Sequence, residues 1–105
     1  MMQLEKLSNI LDKIIKNKSK LVVLGEQEVD GITMLSLRLG KMRFGLSKNQ
    51  IVLAGKVYKF QDLVMISGDF QPITRQIDFV FMQTKTKYRE LVEAQIIQEF
   101  LTTKR

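Results

Sequence analysis

Between Ser36 and Phe60 the chain carries Arg38, Lys41, Arg43, Lys48, Lys56 and Lys59, and not one Asp or Glu. Guanidinium and ammonium groups gathered without counter-charges can hold an anion, arginine through forked hydrogen bonds and lysine as a point charge. The rest of the chain is balanced. Residues 1–30 hold five lysines and five acids, and residues 62–105 hold six basic and six acidic residues. The net charge of +6 therefore lies wholly within residues 31–61. A localised excess of this kind points to a surface for a polyanion, nucleic acid first among them; a merely solvated face is the plain alternative.

Other chemistry is thinly supplied. The 105 residues include no cysteine and no histidine. That removes thiolate and imidazole ligands and all Ser–His or Cys–His catalysis, so neither a metal nor a cofactor is expected. Asp62, Asp69 and Asp78 lack the close alternating spacing of a calcium loop. The stretch "GKMRFG" is flanked by glycines but matches no phosphate-binding fingerprint. A serine–lysine pair, or Glu90 with Glu93, would be the remaining catalytic candidates, and nothing singles either out. The expectation is a non-enzymatic binding module.

The basic residues need elements to position them. Leu4, Leu7, Ile10, Leu11, Ile14 and Ile15 recur at helical spacing, so an N-terminal helix is predicted, with Asp12 and Lys16 paired one turn apart. A string of hairpins follows. Asp30-Gly31 is a two-residue turn that would pair Leu24 with Leu37 and Val22 with Leu39. Gly40-Lys41 suits a type II′ turn pairing Leu37 with Phe44 and Leu35 with Leu46. "SKNQ" loops Phe44 back beside Leu53. Gly55-Lys56 repeats the glycine-first turn, pairing Leu53 with Tyr58 and Ile51 with Phe60.

These registers send the apolar residues to one side and put Arg38 opposite Arg43 on the other, with Lys59 in the adjacent row. Lys41 and Lys56 fall in turns at one end, where Lys18 and Lys20 enter the first strand. The polyanion-binding candidates are thus Arg38, Lys41, Arg43, Lys56, Lys59, Lys18 and Lys20, with Lys48 at the far end. Like charges directly across a strand pair repel, and an anion between Arg38 and Arg43 would relieve that cost. Phe44, Tyr58 and Phe60 point to the apolar side and read as core, not as a platform for stacking bases.

"GDFQPI" (68–73) reads as a loop, and "RQIDFVFMQ" (75–83), with Ile77, Phe79 and Phe81 alternating, as a sixth strand. From about Lys85 a helix carries two apolar stripes. Tyr88, Leu91, Val92, Ile96 and Phe100 form one; Ala94, Ile97 and Leu101 form a second, the candidate surface for a protein partner or a second copy.

The fold class expected is α+β in one domain, 1–105: an N-terminal helix, about six antiparallel strands in a meander that can curl into a barrel, and a C-terminal helix. A strand meander capped by a last helix resembles PH-like domains, in architecture alone. Three functional readings follow: a nucleic-acid or polyanion binder, a protein-interaction or oligomerisation module acting through the C-terminal helix, and a peripheral binder of anionic lipid. No apolar run approaches the roughly 20 residues of a membrane helix. No signal peptide is evident and no cysteine is present, so a cytoplasmic location is expected.

Overall fold

Leu7, Leu11 and Ile14 are spaced four and three residues apart. In the computed structural model, which describes residues 3–103, they are buried along one side of helix α1 (Leu4–Lys16). Lys16 Nζ lies 2.9 Å from Asp12 Oδ2, and that bond, with the carboxylate charge behind it, holds the Lys16 ammonium above its ordinary value. A 3-10 turn (Lys18–Lys20) leads into a five-stranded antiparallel meander: β1 (Val22–Val29), β2 (Ile32–Leu39), β3 (Met42–Leu46), β4 (Gln50–Leu53) and β5 (Lys56–Lys59), in that spatial order. Helix α2 (Phe60–Ile66) and the 34-residue helix α3 (Phe70–Thr103) follow the sheet.

Alternation along the strands decides the layering. In β2, Leu35, Leu37 and Leu39 are buried while Ser36 and Arg38 between them are half-buried. The buried set faces Phe44, Leu46, Ile51 and Leu53 of β3 and β4, and is covered by α1, by Leu63 of α2 and by Phe70, Ile77 and Phe81 of α3. All three helices share this one core, so the other sheet face is left to solvent. The sheet stays open, with β1 and β5 at its edges, instead of curling into a barrel. Helices cover the apolar face, so closure has nothing left to bury.

The central registers are as expected: Leu37 pairs with Phe44, Leu35 with Leu46, Arg38 with Arg43 and Phe44 with Leu53. The outer strands differ. A bulge at Leu24 shifts β1, so Val23 rather than Leu24 pairs with Leu37, and Val22 pairs with Arg38 rather than Leu39. One extra residue exchanges the faces of everything before it. Leu21 and Val23 therefore turn to the core, and Val22 and Leu24 become exposed. At the β4–β5 turn the loop residues are Ala54 and Gly55, both at positive φ (50° and 76°), so Leu53 meets Lys56 and Ile51 meets Tyr58. Two consecutive positive φ values match the twist of the flanking strands. Gly40 alone is positive in the β2–β3 turn, at 60°.

No sixth strand forms at 75–83, which lies within α3. Its alternation coexists with a helical stripe, Phe70, Thr74, Ile77, Val80 and Phe81, which is the set that is buried; Phe79, part of the apparent strand face, is 60% exposed. The stretch 68–73, expected as a loop, keeps only Gly68 and Asp69 outside the helix. Pro72 stands in the first turn of α3, where its missing N–H is no loss.

Ala54 holds a backbone conformation that costs an L-residue roughly 1–2 kcal/mol. Ala54→Asn should therefore raise stability by about 0.5 kcal/mol, whereas Gly40→Val or Gly55→Val should lower it by about 1 kcal/mol or more, read as shifts in urea midpoint. Nothing lies within 4 Å of a Cβ added at Gly40 or Gly55, so the loss would come from the backbone alone.

Candidate functional site

Two surfaces offer chemistry. The first is the open face of the sheet. The register lays Gly25, Ser36, Gly45, Val52 and Val57 in one row across all five strands. These are small or β-branched residues, so the middle of the face is shallow. Met34 lies across Gly45, its sulfur 3.3 Å from where a Cβ would stand. Arg38 and Arg43 face each other in the next row along β2 and β3, two residues from Ser36 and Gly45, with Lys41 in the turn that joins their strands. The only acids within the strands, Glu26 and Glu28, pair with Leu35 and Thr33 and so belong to the helix-covered face. The open strand face therefore carries positive charge and no carboxylate.

The seven basic candidates do not share one surface in the way the sequence suggests. Arg38 is half-buried and its Nη1 donates to the Gly40 carbonyl at 2.9 Å, which props the guanidinium beside the turn; Arg43 is exposed. Lys59 is on the same face but pairs with Gln50, two rows from Arg43, roughly 13 Å along the strands. Lys56 pairs with the inward-facing Leu53, and its ammonium sits 5.8 Å from the Tyr58 ring centre, on the helix side of the sheet. Lys18 also lies on the helix side, at the rim of a groove with α3, and Lys20 is exposed in the turn ahead of β1. Arg38, Lys41 and Arg43 are the trio brought together. The shift of the β4–β5 turn is what carries Lys56 and Lys59 away from them.

The second surface belongs to α3. At 1.5 Å per residue its 34 residues span about 51 Å, close to the 58 Å long axis of the molecule. Burial stops at Phe81. Beyond it Tyr88 and Val92 are half-buried, and Arg89 fastens the helix to β1: its Nη2 is 2.6 Å and its Nε 2.8 Å from Glu26 Oε1. The remainder is exposed, including Leu91 at 66%, Ile96 at 60%, Ile97 at 53% and Leu101 at 65%, with Ala94 among them. The chain's own body therefore does not cover the stripe formed by Ala94, Ile97 and Leu101. A groove of about 570 Å³ runs between α3 and the start of β1, floored by Leu21, Val23, Val80, Tyr88, Leu91 and Val92. It depends on the Leu24 bulge, which turns Leu21 and Val23 to this side, and sequence reasoning did not find it.

Among the described residues no cluster of metal-ligating side chains forms, and no helix is long and apolar enough to cross a membrane. Removing the clasp with Arg89→Met should cost under about 1 kcal/mol, as partly exposed ion pairs do. It should also speed amide exchange selectively in residues 90–103, which hydrogen-exchange mass spectrometry would resolve. No family model matches the chain, and neither a curated protein nor a solved structure matches it.

Proposed function

We infer that this chain is a non-enzymatic interaction module whose docking element is the second half of α3. One observation carries the reading: a single helix leaves Leu91, Ile96, Ile97 and Leu101 more than half exposed beyond the body that buries its first half. Scattered single apolar residues on a surface need no explanation, but a run of them on one projecting element marks an interaction site. The apolar positions also surround the helix. Counting 100° per residue, Leu91, Ala94 and Leu101 lie on one side and Val92 and Ile96 on the other. Helices apolar on all sides are covered on more than one side when they function.

A second reading is favoured by the acid-free strand face. Arg38, Lys41 and Arg43 stand together over a shallow row of small residues, an arrangement suited to the backbone of a nucleic acid or another polyanion. The two readings use different surfaces and are compatible in one molecule.

Ile97→Lys with Leu101→Lys tests the first. The double variant should stay folded, with an unchanged melting temperature within about 2 °C, while any association of the wild type disappears. A domain unfolded by these changes would make the stripe core and end the docking reading. For the second, Arg38→Gln with Arg43→Gln should flatten the salt dependence of nucleic-acid binding by up to two contacts, each worth about 0.9 in log–log slope on duplex DNA. Binding with an unaltered slope would take the site away from this face.

A further inference from the structure

We propose that the groove between β1 and α3 binds a single-chain anionic amphiphile with the chemistry of a fatty acid. Its carboxylate sits between Lys18 and Lys87, and its hydrocarbon chain lies along Val23, Leu91 and Val92. The site is separate from Ile97 and Leu101, on which the docking reading is tested.

The groove has a charged end and an apolar end. Its two walls run the same way. Lys18 and Val80 border a further hollow together, and farther on Glu26 is clasped by Arg89, so the chain from Lys18 to Glu26 follows α3 from Val80 onward. Among the described residues, Lys18 and Lys87 are the only charged side chains lining the groove, and Gln83 and Thr84 precede Lys87 on the helix wall. Arg75 adds a third positive charge beside Lys18, in the adjoining hollow. Among the described residues no carboxylate forms an ion pair with Lys18 or Lys87; Glu90, one turn beyond Lys87, shares a different hollow with it. Past Lys87 the lining turns to Tyr88, Leu91 and Val92, with Val23 on the other wall. A ligand that suits both ends is negative at one and hydrocarbon at the other.

Size selects a slim occupant. The groove holds about 570 Å³, inside the range of roughly 300–1,000 Å³ common to small-molecule sites. From Val80 to Gln95 the helix wall rises roughly 22 Å. A partner helix about 10 Å across would fill roughly 1,700 Å³ over that length, so most of it would stand outside. An extended peptide would lay its amides against Leu21, Val23 and Leu91, whose side chains offer no hydrogen bonds. A hydrocarbon chain has no polar group to satisfy, and every methylene it buries is favourable. The surface it would cover is left wet by the chain itself: Leu91 is 66% exposed, and Leu21, Val23 and Val92 are half-buried.

Titration calorimetry with laurate, kept below its micelle threshold, should show one saturable site per chain. Decanoate, laurate and myristate should bind in rising order, by about fourfold to fifteenfold for each two methylenes, the lower figure for a half-covered chain. Dodecyltrimethylammonium, with the same chain as laurate and a positive head, should bind about tenfold more weakly or worse. Lys18→Glu with Lys87→Glu should reverse that preference; both side chains are exposed, so the fold should survive. Leu91→Asp, also at an exposed position, should weaken laurate about tenfold. Circular dichroism separates a lost site from a lost fold, and the wild-type chain-length series stands whatever either variant does. Absence of saturable laurate binding overturns the proposal. So does an affinity that ignores chain length, or a head-group preference that a folded lysine-reversal variant leaves unchanged. Binding to vesicles of anionic phospholipid without binding of free laurate also overturns it, and makes the positive end a membrane contact. The Ile97→Lys, Leu101→Lys variant should bind laurate as the wild type does, since neither residue lines the groove; loss of binding by that variant while folded would move the site and end the proposal.

Discussion

The structure depends on burying one face of one sheet. Five strands at about 4.8 Å spacing make a layer roughly 20–25 Å across, and the centre of its inner face, on β2, β3 and β4, is built of Leu, Ile and Phe. Leaving that face in water would cost about 25 cal/mol for each Å² exposed, so helices must cover it. Three do, and their buried residues interlock with the strands in a single core. The cover is longer than what it covers. The first turns of α3, to Phe81, fill the core; beyond them the helix keeps only the Arg89–Glu26 clasp and the half-buried Tyr88 and Val92 against β1 before it runs exposed.

Much of this was legible in the sequence where a local rule had only one answer. Helix α1 follows from an unbroken apolar stripe, and the β2–β3–β4 register follows from turns whose geometry and strand alternation agree. The failures share a cause: two rules fitted and packing chose between them. In "AGKV" either Ala54-Gly55 or Gly55-Lys56 could form the turn, and both send Tyr58 inward, so side-chain alternation could not decide. In 75–83 the residues satisfy period 2 and period 3.6 together; the contacts of Ile77 and Phe81 with the core select the helix. The bulge at Leu24 had a faint signal in the adjacent Gly25 and in Leu21 and Val23, which need a side to face. Helix α2 had little: seven residues with no side-chain cap give periodicity too little length to register.

The candidate sites divide the same way. Arg38 opposite Arg43 needed only one hairpin, and one hairpin was readable. The convergence of seven basic residues needed four registers to hold together, and two did not. The exposure of Ile97 and Leu101 could not be read from the stripe itself, since a two-striped helix looks alike whether its own domain or another chain covers it. That question turns on where the body ends, which is a property of the assembled fold.

The bulge at Leu24 has one more effect. A meander that does not close leaves two strands with unsatisfied outer backbone groups, and such strands invite growth by further strand addition. Here neither invites it. The bulge interrupts the β1 ladder and coils that strand locally, so a flat incoming strand would lose register partway along. At the opposite border β5 is only four residues long and begins and ends in lysine. Endless sheet extension, the commonest hazard of an open antiparallel layer, is thus obstructed at both margins.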